Sequence, residues 1–130
     1  MTELSDVARA FFEGRNFAHV ATILPDGSPH VVPVWIDMHG DKIILMTGPN
    51  SLKARNLGRD PRVSLSITET DNPYRMAHVR GRAIDRLDGD EGWALVDQIA
   101  IKFTGNPYPR EQEEIIFVIE PETFFTQSFD

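Results

Sequence analysis

The sequence predicts a small mainly-β (α+β) domain, built from six or seven short antiparallel strands that close toward a barrel. Three observations carry that expectation. Short alternating or apolar segments recur along the whole chain, turn-forming clusters separate the early ones, and only three segments show helical character. Closure is favoured because a barrel removes unpaired strand edges. At 130 residues the chain makes a single domain over 1–130, with enough length to bury a core.

The elements follow in order. Leu4, Val7, Ala8, Phe11 and Phe12 recur at helical spacing, and Gly14 stops the pattern. Phe17–Leu24 reads as a strand ended by Pro25-Asp26-Gly27-Ser28, where Pro, Asp and Gly each favour a turn. His30–Asp37 is a second strand, His39-Gly40-Asp41 a turn, and Lys42–Thr47 a third strand, which together suggest a meander. A short basic helix follows, capped by Ser51 and ended by Gly58 and Pro61. Arg62–Glu69 alternates Val63, Leu65 and Ile67 with Ser64, Ser66 and Thr68, as a half-buried strand does. After the break at Asp71-Asn72-Pro73, Tyr74–Leu87 is long and alternating, with Arg75, Arg80, Arg82 and Arg86 along it. Asp88–Glu91 supplies the acidic start of a helix whose stripe is Trp93, Val96, Ile99 and Phe103. Gly105, Pro107 and Pro109 make Thr104–Arg110 an irregular loop, and Glu114–Ile119 and Thr123–Phe129 close the chain as strands.

Composition excludes several function classes. An apolar fraction of 41% and a charged fraction of 25% fit a soluble globular chain and argue against disorder. A net charge of -7 argues against nucleic acid as the partner, since that binding neutralises many phosphates. Without cysteine there is no disulfide, thiolate nucleophile or sulfur ligand, and His19, His30, His39 and His78 lack metal-site spacing, so no metal is expected. The N-terminus lacks the basic start and apolar core of a secretory signal, and no run is long enough to cross a bilayer. A cytoplasmic protein without membrane contact is the expectation.

The chemically informative stretch is KIILMTGPNSLKARNLGRDPRVSLSI, Lys42–Ile67. Ser51, Lys53, Arg55 and Asn56 crowd the start of its helix, where unpaired N–H groups already favour an anion. In an acidic chain a phosphate-bearing cofactor gives such a cluster a reason. A solvated helix whose cations offset acidic neighbours fits the spacing equally well.

With its flanks, this segment resembles the pyridoxamine 5′-phosphate oxidase-like flavin-binding split barrels, and more narrowly their small branch using the deazaflavin coenzyme F420. The resemblance spans nearly the whole chain and rests on FAHVATILPDGSPHVVPVWI, on the stretch just described, and on AHVRGRA. It implies a homodimer with a cofactor in each of two interface grooves. It assigns the cofactor phosphate to Lys53 and Arg55, with Ser51 and Asn56 beside them. It runs the ring along Pro33, Val34 and Trp35, with Met46 and Thr47 from the next strand, while Tyr74 and Met76 of the long later strand would close the partner's groove. A Trp inside an apolar strand is more often core packing than a cofactor contact, for Trp35 as for Trp93 on its helical stripe.

The implied activity is an oxidoreductase delivering hydride from reduced F420 to a small conjugated or aromatic acceptor, with no side chain acting as a nucleophile. FMN in the same groove, serving an oxidase or flavin reductase, is the alternative cofactor. A non-catalytic F420 or flavin carrier or sensor is the alternative of a different class. The sequence ends at TFFTQSFD, without the basic C-terminal segment of true pyridoxamine phosphate oxidases, which argues against the vitamin B6 reaction.

Overall fold

A computed structural model describes residues 3–129. Its elements are α1 (Asp6–Glu13), β1 (Ala18–Ile23), β2 (Pro29–Val34), β3 (Ile36–His39), β4 (Lys42–Thr47), α2 (Leu52–Arg59), β5 (Arg62–Thr68), β6 (Arg75–Leu87), α3 (Gly89–Thr104) and β7 (Ile115–Ser128). All pairings are antiparallel, and the single sheet runs β2-β1-β5-β6-β7-β4-β3. The mainly-β antiparallel expectation therefore holds, as a half-barrel with β2 and β3 at its two ends.

The predicted strand His30–Asp37 does not run through. It breaks at Trp35: β2 pairs with β1 and β3 pairs with β4, so the expected meander is two hairpins at opposite ends of the sheet. The cause is competition for partners, since residues before and after Trp35 each find a complete antiparallel neighbour. The basic helix continues through Gly58 to Arg59, and Asp60 caps it by donating its N–H to the Asn56 carbonyl at 2.8 Å. The two closing strands are one, β7, which absorbs Pro121 at a register shift opposite Gly81. There a Cβ on Gly81 would stand 2.3 Å from the Glu120 carbonyl oxygen, so only glycine fits.

Two apolar clusters explain the sequence pattern. Inside the curl, Phe12, Val20, Ile36, Ile43, Leu45, Leu65, Ile115 and Ile119 pack with α1 and α2. On the outer face of β4 and β7, Ile44, Ile116 and Val118 pack against Leu95, Val96 and Ile99 of α3. Strands covered on both faces need no alternation, and Ile115–Ile119 is accordingly buried at every position. α3 comes close enough to the end of β6 that a Cβ on Gly92 would lie 2.5 Å from the Leu87 carbonyl oxygen. Among the described residues, no helix is long and apolar enough to cross a membrane.

Candidate functional site

The strand-to-helix turn between β4 and α2 builds one end of a groove. Ser51 caps α2 with its hydroxyl, which accepts from the Ala54 N–H at 3.1 Å and lies 2.7 Å from Thr47 Oγ1. That pair fixes the turn and leaves the next residue but one, Lys53, directed into a hollow of about 300 Å³. Pro33, Val34 and Trp35 wall the hollow from the break between β2 and β3, and Met46, Thr47 and Gly48 from the end of β4. Six residues expected at a cofactor site thus meet here: Pro33, Val34, Trp35, Met46, Thr47 and Lys53.

The other five lie elsewhere. Ser51 sits just behind the wall through its bond to Thr47. Arg55 is exposed on α2, and Asn56 is fully buried, donating to Thr22 Oγ1 at 3.0 Å and accepting from Arg59 at 2.9 Å. Its role within this chain is to tie α2 to β1. Tyr74 is exposed, and Met76 pairs with Thr68 and Gln127 at the far end of β6. Neither lines this groove in the single chain.

Three further lining residues escaped the sequence reading, Gly48, Tyr108 and Glu114. Glu114 precedes β7, whose Ile115 pairs with Thr47, so it lies beside Gly48; a Cβ there would be 3.6 Å from Glu114 Oε2. Tyr108 comes from the irregular loop after α3, which is pinned rather than free. Asp97 accepts from the Tyr108 N–H at 3.1 Å and from two Arg110 nitrogens at 2.7 and 2.8 Å, and the Arg110 guanidinium lies 4.0 Å from the centre of the Trp93 ring. The visible signal was an acidic residue, the last of the Glu111–Glu114 cluster, abutting an unbroken apolar run.

Burial dominates the electrostatics here. It pulls the Lys53 ammonium below its ordinary pKa, with nearby Glu114 opposing. It pushes the Glu114 carboxyl up, against the pull of Lys53 and of the Tyr108 hydroxyl. Tyr108 is raised as well, first by burial and then by Glu114. Among the described residues, Lys53 Nζ makes no hydrogen bond and no ion pair within 4 Å. An ammonium partly stripped of water and given no protein acceptor suits an incoming anion. The unpaired N–H groups at the start of α2 add to that attraction.

A family model described as pyridoxamine 5′-phosphate oxidase matches residues 4–128. The chain belongs to the pyridoxamine 5′-phosphate oxidase family. This is a family of flavin- and deazaflavin-related oxidoreductases. Among solved structures, an F420 reductase is 27% identical at a TM-score of 0.82, over 94% of this chain and 98% of that one. A conserved hypothetical protein from Mycobacterium tuberculosis is 25% identical at 0.76, over 96% and 85%. A putative pyridoxamine 5′-phosphate oxidase from Listeria innocua is 17% identical at 0.65, over 85% and 86%, and shares the fold. No curated protein matches the sequence. In this family member the groove is lined by the Lys53 cation, the Glu114 carboxyl, the Thr47 and Tyr108 hydroxyls, and Pro33, Val34, Trp35 and Met46. That donor set fits a cofactor with a phosphate and a planar ring.

Proposed function

We propose that this chain is an F420-dependent oxidoreductase transferring hydride to a small conjugated or aromatic acceptor. The observation carrying the cofactor reading is the half-buried Lys53 ammonium, without a hydrogen-bond acceptor among the described residues, in a groove also lined by Pro33, Val34, Trp35 and Met46. The choice of F420 over FMN rests on the similarity to an F420 reductase across nearly all of both chains. Lys53 would hold the phosphate, with the Leu52 and Lys53 N–H groups and the Thr47 hydroxyl beside it, and Arg55 would add charge from the exposed face of α2. Pro33, Val34, Trp35 and Met46 would support the ring edge and exclude water. Reduced deazaflavin, when bound, supplies a hydride to an activated C=C, C=N or nitro group. The balancing proton then comes from solvent or from a groove residue.

A hollow of about 300 Å³ takes the phosphate-bearing chain and part of the ring, and the rest needs a second wall. A second subunit would supply it, presenting Tyr74 and Met76 of its β6. The reading thus includes a homodimer with two shared grooves. FMN in the same site, serving an oxidase or flavin reductase, is the second reading, because Lys53 and the N-terminus of α2 recognise the phosphate of either cofactor.

Calorimetric titration of the cofactor-free protein with F420 and with FMN tests the assignment. Tight F420 and weak FMN binding supports the deazaflavin enzyme. The reverse order moves the chain to the flavin branch, and binding of neither overturns the cofactor reading. Tight binding without turnover across a panel of conjugated acceptors would leave a carrier or sensor.

A further inference from the structure

A second hollow, of about 450 Å³, lies on the outer face of β1, β5 and β6, and every residue lining it comes from a strand. It shares no lining residue with the Lys53 groove. Its floor follows from strand register. Val31, Ala21, Ser64, Arg80 and Thr123 stand opposite one another on five neighbouring strands, β2, β1, β5, β6 and β7. Their alternates Val20, Leu65 and Val79 belong to the core, so this row faces outward. Ala21 and Ser64 are small, whereas Ile23 and Arg62, on the same strands and face, are bulky. Small side chains in a row across a sheet make a trough, and from Ala21 to Arg80 it spans two strand spacings, about 10 Å. Val31, 57% exposed, continues the row as an apolar lip.

Three charged side chains line this hollow, Arg62, Glu122 and Arg80, and two of them are already paired. Arg62 donates from Nε to Asp60 Oδ1 at 3.0 Å and from Nη2 to Oδ2 at 2.7 Å, which pulls the Asp60 carboxyl down to about 2. Glu122 stands 3.5 Å from Arg82 Nε. Arg80 is different. It is exposed and, among the described residues, makes no hydrogen bond and no ion pair within 4 Å. The register shift between Arg80 and Gly81 puts a bulge in β6 at this point, and bulges re-aim side chains beside sites. The trough therefore ends in a single uncompensated guanidinium.

We infer that this trough binds a monocarboxylate with an elongated apolar body, at a site separate from the Lys53 groove. A guanidinium grips a carboxylate through two parallel hydrogen bonds, and Arg80 has its donors available for that. Burial of the body against Ala21, Ile23, Pro29 and Val63 supplies the apolar share of the affinity. A dianion such as a phosphate monoester fits less well, because Asp60 and Glu122 stand beside the other two arginines and repel the second charge. An uncharged ligand gains from the floor alone. The inference does not depend on which cofactor, if any, occupies the Lys53 groove.

The test titrates octanoate, with 1-octanol as its uncharged counterpart, into the full chain as wild type, Arg80→Gln and Ala21→Leu, followed by backbone amide chemical shifts. Shifts should centre on Ala21, Ser64 and Thr123, and wild type should prefer octanoate to octanol by roughly fivefold or more. Arg80→Gln should lose that preference while octanol affinity stays within about twofold, and Ala21→Leu should weaken both ligands by roughly fivefold or more. Arg80→Gln removes no hydrogen bond or ion pair among the described residues, so its result reads the charge and not the fold. No octanoate binding, or equal affinity in wild type and Arg80→Gln, overturns the inference. So do shifts centred on the Lys53 groove. Displacement of octanoate by saturating F420 also overturns it, since the trough would then be part of the cofactor site. A dimer in sedimentation whose Ala21, Ser64 and Thr123 amides ignore octanoate overturns it too, because a second copy would then fill the trough.

Discussion

Two lysines of this protein are pulled below their ordinary pKa by burial, Lys53 and Lys102, and they could hardly be used more differently. Lys102 crosses from the last turn of α3 to the junction of α1 and β3. Its ammonium donates to the Phe12 carbonyl at 2.9 Å and to the Ile36 carbonyl, and stands 3.4 Å from Asp37 Oδ1. Its donors are spent on the protein. Lys53 is desolvated with none of its donors so engaged, and its nearest compensation is the through-space field of Glu114. The contrast teaches that burial of a cation does not mark a site. A desolvated cation whose donors have no acceptor does.

The largest expected effect breaks the Lys102 side of that comparison. Lys102→Met keeps the aliphatic stem but strands two carbonyls and the Asp37 carboxylate, whose side chain is only 12% exposed. Removing one partner of a buried pair costs about 3–5 kcal/mol. Gln98, donating to Asp37 Oδ2 at 3.2 Å and to the Met38 carbonyl at 3.0 Å, holds the cost near the lower end. Urea unfolding should show a stability loss of that order, with F420 affinity of the folded protein changed less than twofold. A stable variant would mean that the Lys102 network is dispensable and the comparison misdrawn.

Lys53→Ala should do the opposite. No protein hydrogen bond is lost, so stability should stay within about 0.5 kcal/mol of wild type. Cofactor binding should weaken, because charge-assisted hydrogen bonds contribute about 1.5–3 kcal/mol, or roughly 10- to 150-fold in Kd. The pair of measurements, unfolding and titration on both variants, should cross over. Parallel losses in the two would remove Lys53 from the site.

Ser51→Ala sharpens the contrast by touching fold and site together. It deletes the N-cap acceptor for Ala54 and the 2.7 Å contact to Thr47, a wall residue of the groove. A lost cap costs about 1 kcal/mol. Denaturation should report that loss, and F420 titration a fall of a few-fold, smaller than for Lys53→Ala.

The same contrast shows what the sequence made legible. Ser51 and Lys53 could be read because the strand, turn, cap and cation are consecutive, so local rules suffice. The walls Pro33–Trp35 and Met46–Thr47 came from the resemblance, and they line one hollow with Lys53. Glu114 and Tyr108 could not be read. They reach the groove through the pairing of Thr47 with Ile115 and through the Asp97–Arg110 clasp, both of which join distant parts of the chain. The break at Trp35 was hidden for a related reason: an apolar run does not reveal that its halves pair with different strands. Asn56 shows the converse limit, since helical spacing put it beside Lys53 while packing turned it to Thr22.

The smallest expected effect concerns Glu114, the one acidic side chain among the described residues lining the groove. Burial raises its carboxyl pKa above the ordinary 4.5, so the folded protein holds this proton more tightly than the unfolded chain does. The resulting stabilisation is fully present below pH 4.5 and is lost as pH climbs through the raised folded value. An anion placed on Lys53 would raise that value further, so binding should take up a proton and weaken as pH rises across the same window. Glu114→Gln cannot titrate and should remove the Glu114 share of both trends. Titrations with inorganic sulfate, whose charge is constant across this window, should therefore weaken with pH more steeply for wild type than for the variant. Parallel slopes would show that Glu114 does not share the field of Lys53, and that the groove's anion preference rests on the lysine and the α2 N-terminus alone.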